Sequence, residues 1–141
     1  DRVREREGLS YSIQTWLAVS SFDENTPMMM YAIFAPENRE RVRAGIAEEL
    51  ARALKDGFTE AEVAQARTAL LQARRIARTQ DGTLAGALAS QSHLARTWDF
   101  AAKIDAGLAA VTVERVNAVL RKYVNTGGFA WSYAGDFAKA K

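Results

Sequence analysis

The chain has 141 residues, 48% of them hydrophobic and 26% charged, with 19 basic against 17 acidic residues for a formal net charge of +2. A chain of this length buries about two-thirds of its unfolded surface, enough for a core of its own, and its apolar content excludes a disordered segment. The near-neutral balance argues against nucleic acid, which needs clustered, uncompensated charge. Zero cysteines exclude disulfides and thiolate metal ligands while leaving the redox compartment open. No apolar run approaches the ~20 residues of a membrane-spanning helix, so no membrane partner is expected. Nothing at the start reads as a signal peptide. The chain opens mid-pattern in a charged turn without an initiator Met, as a piece of a longer protein would.

In chain order, Arg4-Glu5-Arg6-Glu7 reads as a charged helical turn that stops at Gly8. A strand follows, with Tyr11, Ile13, Thr15, Leu17 and Val19 on one side and Ser12, Gln14, Trp16 and Ala18 on the other. After a polar turn over Ser20 to Asn25, Met28 to Ala35 is apolar on both faces, which predicts a central, covered strand. The two strands should pair as an antiparallel hairpin. Met28-Met29-Met30 is better read as core than as a soft binding surface.

From Pro36 the period becomes helical. Val42, Ile46, Leu50 and Leu54 form one stripe, and Gly57 offers the stop. Thr59 and Glu62 have capping-box spacing, with Phe58 and Val63 as a hydrophobic staple. That helix is predicted to run through Val63, Ala66, Leu70, Ala73 and Ala77 to about Gln80, where Asp81-Gly82 should break it. A third helix would carry Leu84, Leu88, Gln91, Ala95 and Trp98 on one face, and a short fourth would cover Phe100 to Leu108. Thr112 is a plausible N-cap for a fifth, with Val113, Val116, Leu120 and Tyr123 inward and Gly127-Gly128 ending it. Phe129, Trp131 and Tyr133 then alternate as a last strand closing at Gly135-Asp136. This order predicts a single domain over 1–141 in the α+β class: two layers, a mostly antiparallel sheet with helices packed on one face.

Little of this chain carries chemistry by itself. A catalytic zinc takes three protein ligands, whereas the chain has one histidine, and no helix presents a His and a Glu at ligand spacing. His93 reads as an ordinary helix residue, and there is no G-x-S-x-G elbow or phosphate-cradling glycine loop. Arg67, Arg74 and Arg78 recur at helical spacing with Arg75 adjacent. They fit a solvated face better than a polyanion-binding stripe, since Leu71 interrupts them and no aromatics are interleaved.

The exception is Arg4-Glu5-Arg6-Glu7-Gly8-Leu9-Ser10-Tyr11, which resembles the arginine/tyrosine segment of the pitrilysin/insulysin family of inverted-motif zinc metallopeptidases. The Ala35-Pro36 helix start, the Gly57-Phe58-Thr59-Glu60-Ala61-Glu62 junction, Thr112-Val113-Glu114-Arg115-Val116 and the Gly135-Asp136-Phe137-Ala138-Lys139 tail also look like the second half of a domain of that family. The likeness covers essentially the whole chain. The family's H-x-x-E-H zinc motif is absent. Full domains of the family are longer, with more strands before the Arg.

The resemblance implies the C-terminal part of a non-zinc lobe, a fragment of a metalloendopeptidase that is inactive alone. No cofactor is expected in this chain, and zinc is expected in the partner half. The implied partners are a zinc-bearing lobe or subunit and a peptide substrate. The bacterial two-lobed members imply a periplasmic location, with the cytoplasm as the alternative. Arg4 and Tyr11 are the implied catalytic pair, two directional donors for the scissile carbonyl and the oxyanion it becomes, each worth about 3–4 kcal/mol in comparable sites. Without the resemblance, Arg4 could be one of three alternating solvated arginines with Arg2 and Arg6, and Tyr11 could begin a strand's buried face. The family's fold also occurs in non-catalytic assembly subunits, which is the alternative function.

Overall fold

A computed structural model describes residues 2–139. The architecture is α+β, a two-stranded antiparallel sheet with helices. The chain forms two compact units, one of residues 1–55 with 124–141 and one of residues 56–123.

In the first unit a π-helical turn, Arg2–Arg6, leads to strands β1 (Ser12–Leu17) and β2 (Met28–Ile33). Their register runs from Ser12 opposite Ile33 to Leu17 opposite Met28. It puts Ile13 beside Ala32 and Thr15 beside Met30 on one face, and Gln14 beside Tyr31 and Trp16 beside Met29 on the other. A 3₁₀ turn over Pro36–Asn38 then feeds helix α1 (Arg39–Asp56). Proline suits that position because its missing N–H would have had no helical partner.

The core forms where the predicted stripe of α1 meets the inward face of β2. Val3, Leu9, Val42 and Ile46 are buried, and Ile13, Met30, Ala32, Phe34, Leu50 and Trp131 pack against them. Only one face of β2 is covered among the described residues. Met29, Tyr31 and Ile33 stay exposed, so the expectation of a strand buried on both sides is not met.

The expected closing strand is also absent among the described residues. A strand exists only where its backbone pairs, and residues 129–134 join no ladder. Trp131 and Tyr133 instead face Met30, Ala32 and Phe34 across a cavity of about 470 Å³. Side chains hold the segment. The guanidinium of Arg43 lies 5.4 Å from the Trp131 ring centre, and that of Arg39 lies 5.7 Å from Tyr133 and 5.4 Å from Phe137.

The second unit is helical: α2 (Glu60–Ala77), α3 (Asp81–His93), α4 (Asp99–Ala109) and α5 (Val113–Tyr123). The capping box of α2 is formed as predicted. The Thr59 N–H donates to Glu62 Oε2 at 2.8 Å, and the Glu62 N–H donates to Thr59 Oγ1 at 3.3 Å. Before it, Gly57 has φ +78°, and Asn117 of α5 clamps the next residue. Asn117 accepts the Phe58 N–H at 2.7 Å and donates to the Phe58 carbonyl at 3.0 Å.

Three helix boundaries differ from the expected ones. α2 ends at Ala77, and Asp81-Gly82 opens α3 rather than breaking the chain, with extended Gln80 as N-cap. An acid in the first helical turn offsets the positive end of the helix dipole. α3 stops at His93, so Ala95 and Trp98 do not share its face. The Arg96 N–H reaches the Gln91 carbonyl at 2.8 Å and the Ala95 N–H reaches Ser92 at 3.0 Å, around Ala95 at φ +52°. That pair of bonds is a Schellman stop with alanine in the left-handed position where glycine is usual. Third, α5 ends at Tyr123 rather than at Gly127-Gly128, and Tyr123 is exposed rather than inward.

Candidate functional site

Two buried residues bracket the corner that carries Arg4 and Tyr11. Val3 and Leu9 are each only 3% exposed, and the Leu9 N–H closes the turn onto the Val3 carbonyl at 2.9 Å. Between them the chain reverses at Gly8, with φ +61°, a conformation that costs a residue with a Cβ about 1–2 kcal/mol. Asn38 donates to the Leu9 carbonyl at 3.4 Å, tying the corner to the start of α1. Ser10 is buried as well, and its hydroxyl has no hydrogen-bond partner among the described residues.

From this anchored backbone both predicted side chains project outward. Tyr11 is 83% exposed, although its main chain is fixed by donation of its N–H to the Ile33 carbonyl at 2.8 Å. Among the described residues nothing buries Tyr11, so it does not begin a covered face there. Arg4 is about half exposed and pairs with Glu5 at 2.7 Å, an exposed neighbour pair worth roughly 0–1 kcal/mol. Arg4 and Tyr11 share one corner but make no hydrogen bond or ring contact with each other among the described residues. Neither lines the 470 Å³ cavity of their unit. Sequence reading had singled out the two polar heads and missed Val3 and Leu9. Their signal was two apolar residues flanking a charged run at the two ends of one turn.

Arg67 and Arg74 of α2 and its C-cap Arg78 are engaged internally. Arg74 and Arg78 both donate to Asp105 on α4, and Arg67 donates to the Val111 carbonyl. The hydrogen bonds from Arg74 and then Arg78 hold the Asp105 carboxyl below the ordinary aspartate range. Among the described residues this α2–α4 clamp pairs Arg74 and Arg78 with an acid. At the start of α5, Glu114 is likewise lowered, first by its own backbone N–H and then by the Thr112 hydroxyl. Thr112 also accepts the Arg115 N–H at 3.4 Å, which is the predicted N-cap.

His93 lies exposed in the last turn of α3. Among the described residues no three His, Cys, Asp or Glu side chains gather as a metal site would require. No helix of the described chain is long and apolar enough to cross a membrane.

Residues 1–70 match the model of the family described as the peptidase M16 inactive domain. The matched residues belong to a domain of this pitrilysin-type family. The match takes in the Arg4–Tyr11 corner, the hairpin, all of α1 and the capped first half of α2, while residues 71–141 lie outside it. An M16 inactive domain fits a chain whose described residues gather no zinc ligands of their own, and such domains generally pair with a catalytic half. No curated protein gives a match.

Proposed function

We propose that this chain is the substrate-binding, chamber-closing part of a pitrilysin-type zinc peptidase of the bacterial periplasm. It acts with a zinc-bearing half and is inert without it. The zinc half activates the attacking water. This chain's residues bind and orient the peptide, with Arg4 and Tyr11 donating to the scissile carbonyl as negative charge develops on its oxygen.

One observation carries the reading: within the segment matched to the M16 inactive domain, a corner with a buried, hydrogen-bonded backbone holds a phenol and a guanidinium out toward solvent. The corner is built from the buried pair Val3 and Leu9. Donors that act in a transition state must be fixed beforehand; the anchored backbone fixes where the two heads start, and on this reading closure against the zinc half fixes the heads themselves. The direct test mixes the purified zinc half with this chain and follows cleavage of a quenched fluorescent peptide. Each half alone should be silent and the mixture active. A silent mixture of two folded, associated halves would refute the proposal.

A second reading, a non-catalytic assembly domain of the same fold, draws support from another surface. Leu17, Val19 and Phe22 at the end of the hairpin are 60%, 73% and 78% exposed. Apolar groups gathered on a protruding element mark an interaction site more often than a bare surface. On that reading Leu17→Lys or Phe22→Ser abolishes association with the partner half. On the peptidase reading the same variants alter cleavage only as far as they weaken association.

A further inference from the structure

The corner that holds Arg4 meets α1 closely at Gly45. Gly45 is buried in α1, on the same face as Val42 and Ile46, three residues after one and directly before the other. A Cβ on Gly45 would lie 3.0 Å from Val3 Cγ2, inside the ~3.5–4.0 Å of an ordinary carbon contact. Glycine at this position is not explained by helix propensity, which favours alanine. What it provides is room. The missing side chain lets the π-helical turn settle onto α1 with Val3 only 3% exposed. The Val3 carbonyl then receives the Leu9 N–H, and that bond closes the corner between Arg4 and Tyr11.

We propose that Gly45 is a positioning residue for Arg4: its missing Cβ sets the depth of Val3 and thereby the direction from which Arg4 reaches the substrate. This rests on the reading of Arg4 and Tyr11 as transition-state donors. Gly45→Ala displaces Val3 by a few tenths of an ångström, and the displacement passes through one peptide bond to its neighbour Arg4. Buried contacts transmit such shifts because packed interiors have little slack. α1 itself loses nothing, since alanine is the better helix former.

Two readouts separate the parts of this argument. In ¹H–¹⁵N spectra of the whole chain, Gly45→Ala should shift the amides of Val3, Arg4 and Leu9. Those shifts should vanish when the same change is made in a Val3→Ala background, where Cγ2 is gone. In cleavage assays with the zinc half, Gly45→Ala should lower kcat about tenfold at nearly constant KM, because a misplaced catalytic donor costs rate rather than affinity. The loss should shrink to within twofold in the Val3→Ala background. Amide shifts confined to α1, or an equal loss of kcat in both backgrounds, overturns the proposal. If Arg4→Ala leaves kcat intact, the donor reading falls with any catalytic consequence of Gly45, and the amide shifts still decide whether Gly45 sets the corner.

Discussion

Replacing Ala95 by glycine should stabilise the protein, although the same change inside a helix would weaken it. Ala95 sits at φ +52° with its N–H and that of Arg96 closing the end of α3. A left-handed residue with a Cβ costs about 1–2 kcal/mol relative to glycine. Against this stands the extra freedom glycine gives the unfolded chain, about 0.4–1 kcal/mol. Ala95 is exposed, so removing its methyl forfeits little burial. The net gain is about 0.5–1 kcal/mol, or about 2–4 °C in Tm for a chain of this size. Urea unfolding followed by far-ultraviolet circular dichroism reads it as a higher midpoint at unchanged slope. If α3 instead ran on through Ala95, as the spacing of Leu84, Leu88, Gln91, Ala95 and Trp98 suggests, Ala95→Gly would cost about 1 kcal/mol. The two accounts differ in sign, and a lowered midpoint would refute the Schellman stop.

Two further perturbations test the second unit. Asn117→Ala removes both hydrogen bonds to the Phe58 main chain and should cost about 1–2 kcal/mol in the same denaturation assay; an unchanged midpoint would mean that the clamp does not form in solution. Asp105→Asn should destabilise at neutral pH, and the gap from the parent should close in acid. The carboxyl's folded pKa lies below its unfolded value, so its contribution is complete above the ordinary aspartate range and is lost as pH falls through the lowered value. A gap that stays constant from neutral to strongly acid pH would contradict the ion-paired clamp.

What could be read from the sequence was local chemistry. The Thr59/Glu62 box needs only residues three apart, and the Val42, Ile46 and Leu50 stripe only the helical period, so both appear where expected. The Arg4-to-Tyr11 corner was legible because glycine after a charged turn is itself a backbone signal. The α3 stop was not, because alanine occupies the glycine position and the apolar spacing runs on past it. The closing strand failed for a different reason. Phe129, Trp131 and Tyr133 alternate correctly, but alternation says nothing about whether a partner edge lies within reach, and Trp131 and Tyr133 stack on Arg39 and Arg43 instead. Arg74 and Arg78 show the same gap between pattern and partner. Their spacing was visible, but their acceptor Asp105 lies on a different helix and could only be found in three dimensions.

The central claim is that the exposed heads of Arg4 and Tyr11 act on the substrate. It is tested most directly by kcat for a quenched fluorescent peptide, with the zinc half combined in turn with the parent chain, Arg4→Ala and Tyr11→Phe. Zinc content and association are checked in each mixture. Both sites are exposed on an anchored corner, so neither change should disturb folding. The account predicts a loss of about a hundredfold in kcat for each variant with zinc retained, equivalent to about 2.7 kcal/mol of transition-state stabilisation. Full activity in both variants would contradict it and leave this domain as a wall or an assembly surface.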